Sequence, residues 1–105
     1  MEQDTAMKEA PTLFDSAASQ TVELANTLTE KDPQADLWEI ADGMLAGAVH
    51  YWLYTRQPCG DPLCEECAAI STAEERLAQL LKDLEQYARE SDYFHSPTDL
   101  NVGRA

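Results

Sequence analysis

Three cysteines lie within nine residues of one another, and the chain contains no others. Cys59, Cys64 and Cys67 have the spacing C-x4-C-x2-C. Thiolates at this spacing converge on one metal ion when the backbone between them turns sharply, and Gly60 and Pro62 stand where such a turn is needed. The pattern therefore predicts a metal site, with zinc as the ion.

A tetrahedral structural zinc site needs a fourth ligand. His50, which precedes the first cysteine by nine residues, is the nearest histidine, and His95 and Asp61 are weaker candidates. His50 also shares a helical stripe with apolar residues. A histidine of the core or of an interface is therefore the competing interpretation of that residue.

Other chemistry at the cysteines stays open. An iron–sulfur cluster of the plant ferredoxin spacing requires a fourth cysteine, which the chain lacks. The Cys64–Cys67 pair can form a disulfide, but no strand–helix–strand context for a thioredoxin-like site precedes it. Glu65 and Glu66 are expected to raise the pKa of the neighbouring thiols, which argues against an activated nucleophile. The third alternative is three reduced, inert cysteines under a loop.

The composition restricts the partners. The 105 residues include 20 acidic and 7 basic side chains, giving a net charge of −13. Phosphate backbones and anionic lipid surfaces repel such a protein, so neither nucleic acid nor membrane is expected as a direct partner. A basic protein or a cation suits the charge, although acidic composition also serves solubility alone. The odd number of cysteines and the polar start of the sequence, residues 1–6, predict a cytoplasmic protein.

Carboxylates offer a second kind of chemistry. Asp36, Glu39 and Asp42 share one edge of a predicted helix, and facing carboxylates can bind magnesium. Acidic residues near a helix start also complement the helix dipole, which is the simpler interpretation. The sequence contains no nucleophile elbow, phosphate-binding glycine loop or H-E-x-x-H motif, so catalysis has little support.

The segments on both sides of the cysteines are predicted to be helical. Apolar residues recur every three to four positions in three segments, and no strand-like alternation occurs. The first predicted helix starts near Thr12 with a capping box and ends near Glu30; the second starts at Asp32-Pro33 and ends near Arg56. The third starts at Ser71 or Thr72 and ends near Arg89.

These elements predict an all-α fold, either a three-helix bundle or a helical hairpin plus a third helix. The cysteines fall in the connection between the second and third helices, residues 57–70. We expect a flexible arm at residues 1–11, a single helical domain at 12–90 and an irregular tail at 91–105.

The second helix is apolar on most of its circumference. Its apolar stretch from Met44 to Tyr54 is shorter than the roughly 20 residues that span a membrane. We therefore expect it to be the central helix, covered by both neighbours or by a second subunit, and we expect a homodimer formed through it. Gly43 and Gly47, one turn apart, suggest close approach of another backbone.

No motif identifies a family. The sequence favours a non-enzymatic interaction or regulatory protein whose cysteine loop is a structural zinc site or a thiol sensor. The alternatives are a metal-dependent enzyme, using the cysteine loop or the carboxylates of the second helix, and an acidic DNA-mimic inhibitor.

Overall fold

The computed structural model describes residues 10–99, and within them the chain forms three long helices and no strand. Helix α1 spans Leu13–Lys31, α2 spans Leu37–Thr55 and α3 spans Ala73–Glu90, with a short 3-10 helix at Ala68–Ile70. The prediction of an all-α fold is confirmed. The bundle arrangement of the three helices, the single domain and the flexible arm stay predictions; most of that arm lies outside the described residues.

The chain divides into two compact units, Met1–Tyr51 and Trp52–Ala105, with the boundary near the end of α2. The first unit contains α1 and most of α2. The second contains the cysteine loop, the 3-10 helix and α3. No helix within the described residues combines the length and the apolar character that a membrane span requires.

Helix α1 starts where its capping residue predicts. The side chain of Thr12 accepts a hydrogen bond of 3.0 Å from the backbone N–H of Asp15, which satisfies a donor that the first helical turn leaves without a partner. The helix ends at Lys31, where the backbone N–H of Asp32 still bonds to the carbonyl of Leu28.

The predicted start of α2 at Asp32-Pro33 is wrong by four residues. Asp32 instead builds a turn, since its side chain accepts from the backbone N–H of Gln34 at 3.0 Å and its carbonyl from that of Ala35 at 2.9 Å. Asp36 caps α2, accepting from the backbone N–H of Trp38 at 2.9 Å. Both aspartates are good capping residues, and the sequence alone does not decide which of them starts the helix.

Helix α3 has a complete capping box. Thr72 accepts from the backbone N–H of Glu75 at 3.0 Å, and the Glu75 carboxylate accepts from the backbone N–H of Thr72 at 3.1 Å. Of the two predicted starts, Ser71 and Thr72, the helix therefore uses Thr72. Leu80, in the third turn of α3, is the one buried apolar residue among the described residues.

Burial around α2 differs from the expectation of a central helix. No residue of α2 is buried, and Trp38 is 83% exposed. Within the first unit, α1 alone therefore leaves α2 exposed. Cover by both neighbouring helices or by a second subunit stays a prediction.

Candidate metal centre

The structure brings the three cysteines to one point. Their Sγ atoms all lie within 4.8 Å of one another. A point equidistant from three atoms at that separation lies about 2.8 Å from each, and zinc–sulfur bonds are about 2.3 Å long. Contraction of roughly half an ångström per sulfur therefore gives bonding distances. The loop therefore holds three soft donors close enough together to be compatible with a metal site.

A left-handed glycine and an aspartate turn create this convergence. Gly60, directly after Cys59, has a φ of +93°, a conformation that side-chain-bearing residues rarely adopt. Next, the Asp61 carboxylate accepts from the backbone N–H of Leu63 at 3.0 Å, and its carbonyl accepts from that of Cys64 at 3.0 Å. The positive φ at Gly60 and the turn at Asp61 thus bring Cys64 close to Cys59.

Cys67 is anchored to the start of α3. Its carbonyl accepts from the Ser71 hydroxyl at 2.7 Å and from the backbone N–H of Ile70 at 3.0 Å. Arg76, on the first turns of α3, donates to the carbonyl of Ile70 at 2.9 Å. The cysteine site therefore rests on a short 3-10 helix that packs against α3.

Hydrogen bonding shifts the pKa values of Cys64 and Cys67 in opposite directions. The pKa of Cys64 is lowered because the Cys67 thiol, the Cys67 backbone N–H and the Cys59 thiol hydrogen-bond to its sulfur, with a smaller contribution from the backbone of Glu66. At Cys67 the hydrogen bond from the Cys59 backbone N–H favours the thiolate, but the thiols of Cys64 and Cys59 and partial burial outweigh it. The pKa of Cys67 is therefore raised.

The expectation that Glu65 and Glu66 raise the pKa of neighbouring thiols is wrong for Cys64. Carboxylate charge does not contribute to its shift, whereas the backbone N–H of Glu66 lowers the pKa. A residue between two cysteines acts here through its peptide group. Its side-chain type is therefore a poor guide to the thiol chemistry.

The cluster consists of the three predicted cysteines alone. Across residues 10–99 no other set of three histidine, cysteine or carboxylate side chains is close enough to share an ion. His50 lies on α2 in the first unit, and its role as fourth ligand stays a prediction. The ring of His95 stacks edge-on against Phe94 at 4.9 Å, and one oxygen of Asp61 is used in its turn.

The acidic edge of α2 has a structural role at its start. The Asp36 carboxylate caps the helix through the backbone N–H of Trp38. Asp36, Glu39 and Asp42 do not form a three-ligand set within the described residues. The simpler interpretation, helix capping and the helix dipole, accounts for Asp36.

Two residues support the site in a way that the sequence analysis did not predict. Ser71 and Arg76 fix the peptide groups that follow Cys67. A serine four residues after a cysteine, in position to bond back to its carbonyl, was the available signal for Ser71. No local pattern indicates Arg76, because its partner is a loop carbonyl six residues away.

No family model, curated protein or solved structure matches this chain.

Proposed function

We propose that this protein is a non-enzymatic interaction module in which Cys59, Cys64 and Cys67 bind a structural zinc ion. The observation that carries the proposal is the convergence of the three Sγ atoms within 4.8 Å. Thiolates are soft donors that select zinc and copper(I) over magnesium or calcium, and zinc is their common structural partner. The sequence supplies no nucleophile or general-base motif that would make the ion catalytic.

A bound zinc ion would stabilise the second unit, which buries little apolar surface. Leu80 is the only buried apolar residue among the described residues, so hydrophobic burial contributes little to holding the cysteine loop against α3. Small domains with a limited core are often stabilised by a metal, whose binding energy becomes folding energy. A zinc ion on the three thiolates joins the two ends of the loop.

Charge supports a cation at this place. Three thiolates close together repel one another, and the chain as a whole carries a net charge of −13. A divalent cation offsets the thiolate charge and lowers the cost of deprotonating all three sulfurs. The fourth position of the tetrahedron belongs, in this proposal, to His50.

A thiol sensor is the second candidate, and the exposure of Cys59 favours it. In that case a peroxide oxidises two of the thiols to a disulfide. One S–S bond forms, two S–H bonds and the peroxide O–O bond break, and two molecules of water (or of water and alcohol) leave. Cys59, the exposed thiol, is oxidised first in this candidate, one of the other two cysteines completes the disulfide, and the remaining cysteine stays reduced.

Metal analysis of freshly purified full-length protein tests the zinc proposal. We expect about one zinc per chain, lost in the Cys64→Ser variant, which preserves the shape of the side chain but removes a thiolate. Titration with cobalt(II) gives a second readout, because sulfur-to-cobalt charge-transfer absorption reports thiolate ligation. Metal-free protein with three titratable thiols that gains no such absorption contradicts the proposal.

A matched pair of histidine variants tests the fourth ligand. His50→Ala is expected to weaken zinc binding, while His95→Ala, which removes the other histidine of the chain, leaves it unchanged. Loss in His95→Ala alone would transfer the fourth position to that residue. An unchanged affinity in both variants would leave water or another group as the fourth ligand and would remove His50 from the site.

A further inference from the structure

The ligand set of the cysteine loop consists of three sulfurs, and no other histidine, cysteine or carboxylate of residues 10–99 belongs to it. Asp61 lies between Cys59 and Cys64 in the sequence, but one of its carboxylate oxygens is used in a turn and it is not part of the set. His50, the fourth ligand of the zinc proposal, belongs to the other compact unit. The loop by itself therefore offers a three-coordinate, all-sulfur site.

The number of donors separates the metals that thiolates bind. Structural zinc sites are almost always four-coordinate and tetrahedral, so zinc needs a ligand from outside this set. Copper(I) is also selected by thiolates. It has a filled d shell and a single positive charge, and it forms planar complexes with three sulfurs alone. The loop therefore completes the coordination of copper(I) but not that of zinc.

The spacing of the sulfurs admits an ion that lies in their plane. The three Sγ atoms are within 4.8 Å of one another. Their plane therefore contains a point within about 2.8 Å of all three, and bonds of about 2.3 Å require an inward shift of roughly half an ångström. A planar ion at that point needs no further ligand above or below the sulfurs.

Backbone groups offset the charge that a monovalent ion leaves. One copper(I) on three thiolates keeps a net negative charge, in a chain that already carries −13. The backbone N–H of Cys59 donates to the Sγ of Cys67, and the backbone N–H groups of Cys67 and Glu66 hydrogen-bond to the sulfur of Cys64. Such hydrogen bonds are charge-assisted when the sulfur is anionic. They stabilise thiolates that the metal does not fully neutralise.

The site is open to a small carrier of copper(I). Cys59 is exposed, and a surface pocket of about 220 Å³ is lined by Cys67, Gly60 and Asp61 among others. Copper(I) carried on small thiols moves between ligands by exchange. In each step a copper–sulfur bond to the protein forms, a bond to the carrier breaks, and the cysteine proton passes to the released carrier thiolate. The oxidation state does not change, so the transfer needs no oxidant or reductant.

We propose that Cys59, Cys64 and Cys67 bind copper(I) in a planar three-sulfur site, and that copper(I) displaces zinc from the loop. The inference rests on the proposed function only in that the three thiolates form a metal site. Zinc binding uses His50 as well as the cysteines, whereas copper(I) binding uses the cysteines alone and releases His50. The loop then responds to copper(I) by exchanging one metal for the other.

Metal exchange in the full-length protein tests this proposal. One equivalent of copper(I), supplied as its acetonitrile complex in the absence of oxygen, is added to the zinc-loaded protein. We expect one zinc per chain to be released, measured with a zinc-sensitive dye. X-ray absorption of the bound copper should show three sulfur neighbours. Retention of the zinc, or copper held by two sulfurs, contradicts the proposal.

The His50→Ala variant separates the two metals. Its copper(I) affinity, measured by competition with bathocuproine disulfonate, should equal that of the original chain, although its zinc affinity falls. In Cys59→Ser the copper(I) affinity should fall by more than about tenfold, because loss of a group that only orients a ligand already costs about 10–100-fold. Equal losses of copper(I) affinity in the two variants would overturn the three-sulfur assignment. If Cys59→Ser proves unfolded by circular dichroism, the exchange experiment and His50→Ala still decide the question.

The failures of the two proposals are distinguishable. A chain that binds zinc and keeps it against copper(I) overturns this inference and leaves the structural zinc site intact. A chain that binds no zinc but holds copper(I) on three sulfurs overturns the proposed function and supports this inference. A chain that binds neither metal overturns both.

Discussion

The backbone N–H of Cys59 donates a hydrogen bond of 3.3 Å to the Sγ of Cys67. This bond joins the first and last cysteines of the loop and stabilises negative charge on the Cys67 sulfur. Backbone N–H groups that point at cysteine sulfurs orient the thiolates before a metal arrives. The loop is therefore partly organised by its own peptide groups.

Replacing Gly60 by alanine should weaken zinc binding. The φ of +93° at this position costs an L-residue about 1–2 kcal/mol, while the added methyl group meets no neighbour within 4 Å. The expected loss is therefore roughly tenfold in affinity, measured by competition with a chelating dye. Gly43→Ala is the matched control: it also adds a methyl group in open space, but within a helix, and should not reduce the affinity.

Zinc should stabilise the folded chain, and a chelator should reverse the effect. At a free zinc concentration one hundred times its dissociation constant, the gain is about 2.7 kcal/mol. Thermal unfolding followed by circular dichroism measures it as a rise in Tm. In Cys67→Ser neither zinc nor chelator should move the transition. An equal zinc-induced rise in this variant would show that the ion binds elsewhere.

Cys64 should react faster than Cys67 with iodoacetamide in metal-free protein near neutral pH. Its pKa is lowered by the surrounding thiols and peptide groups, and that of Cys67 is raised, so below the ordinary thiol pKa a larger fraction of Cys64 is thiolate. Both residues are half-buried, which removes exposure as the cause. Peptide mapping by mass spectrometry gives the two rates. The difference should shrink at high pH, where both thiols are ionised.

Thr72→Ala should destabilise α3 by about 1 kcal/mol, because the backbone N–H of Glu75 loses its acceptor. In a domain of this size that corresponds to a fall of about 4–8 °C in Tm. Thr72→Ser retains the hydroxyl and should behave like the original protein. A Thr72→Ala variant as stable as Thr72→Ser would mean that the capping box contributes nothing.

The helices and the cysteine motif could be predicted from the sequence because each depends on residues that are close together along the chain. The apolar repeat predicted three helices, and Thr12 and the Thr72–Glu75 pair gave two of their starts, because capping depends on residues within one turn. The predicted start at Asp32 was wrong because Asp36, four residues later, is an equally good capping residue and is the one that caps α2. The spacing of the cysteines indicated a shared site for the same local reason.

The distances between groups that are farther apart along the chain could be found only from the tertiary structure. The convergence of the three sulfurs depends on the left-handed turn at Gly60, and the support from Arg76 joins a helix to a carbonyl six residues earlier. The exposure of Trp38 and Leu45 likewise depends on the packing of the helices and not on the local sequence. Sequence periodicity tells which residues share a face of a helix. Only packing in three dimensions decides whether anything covers that face.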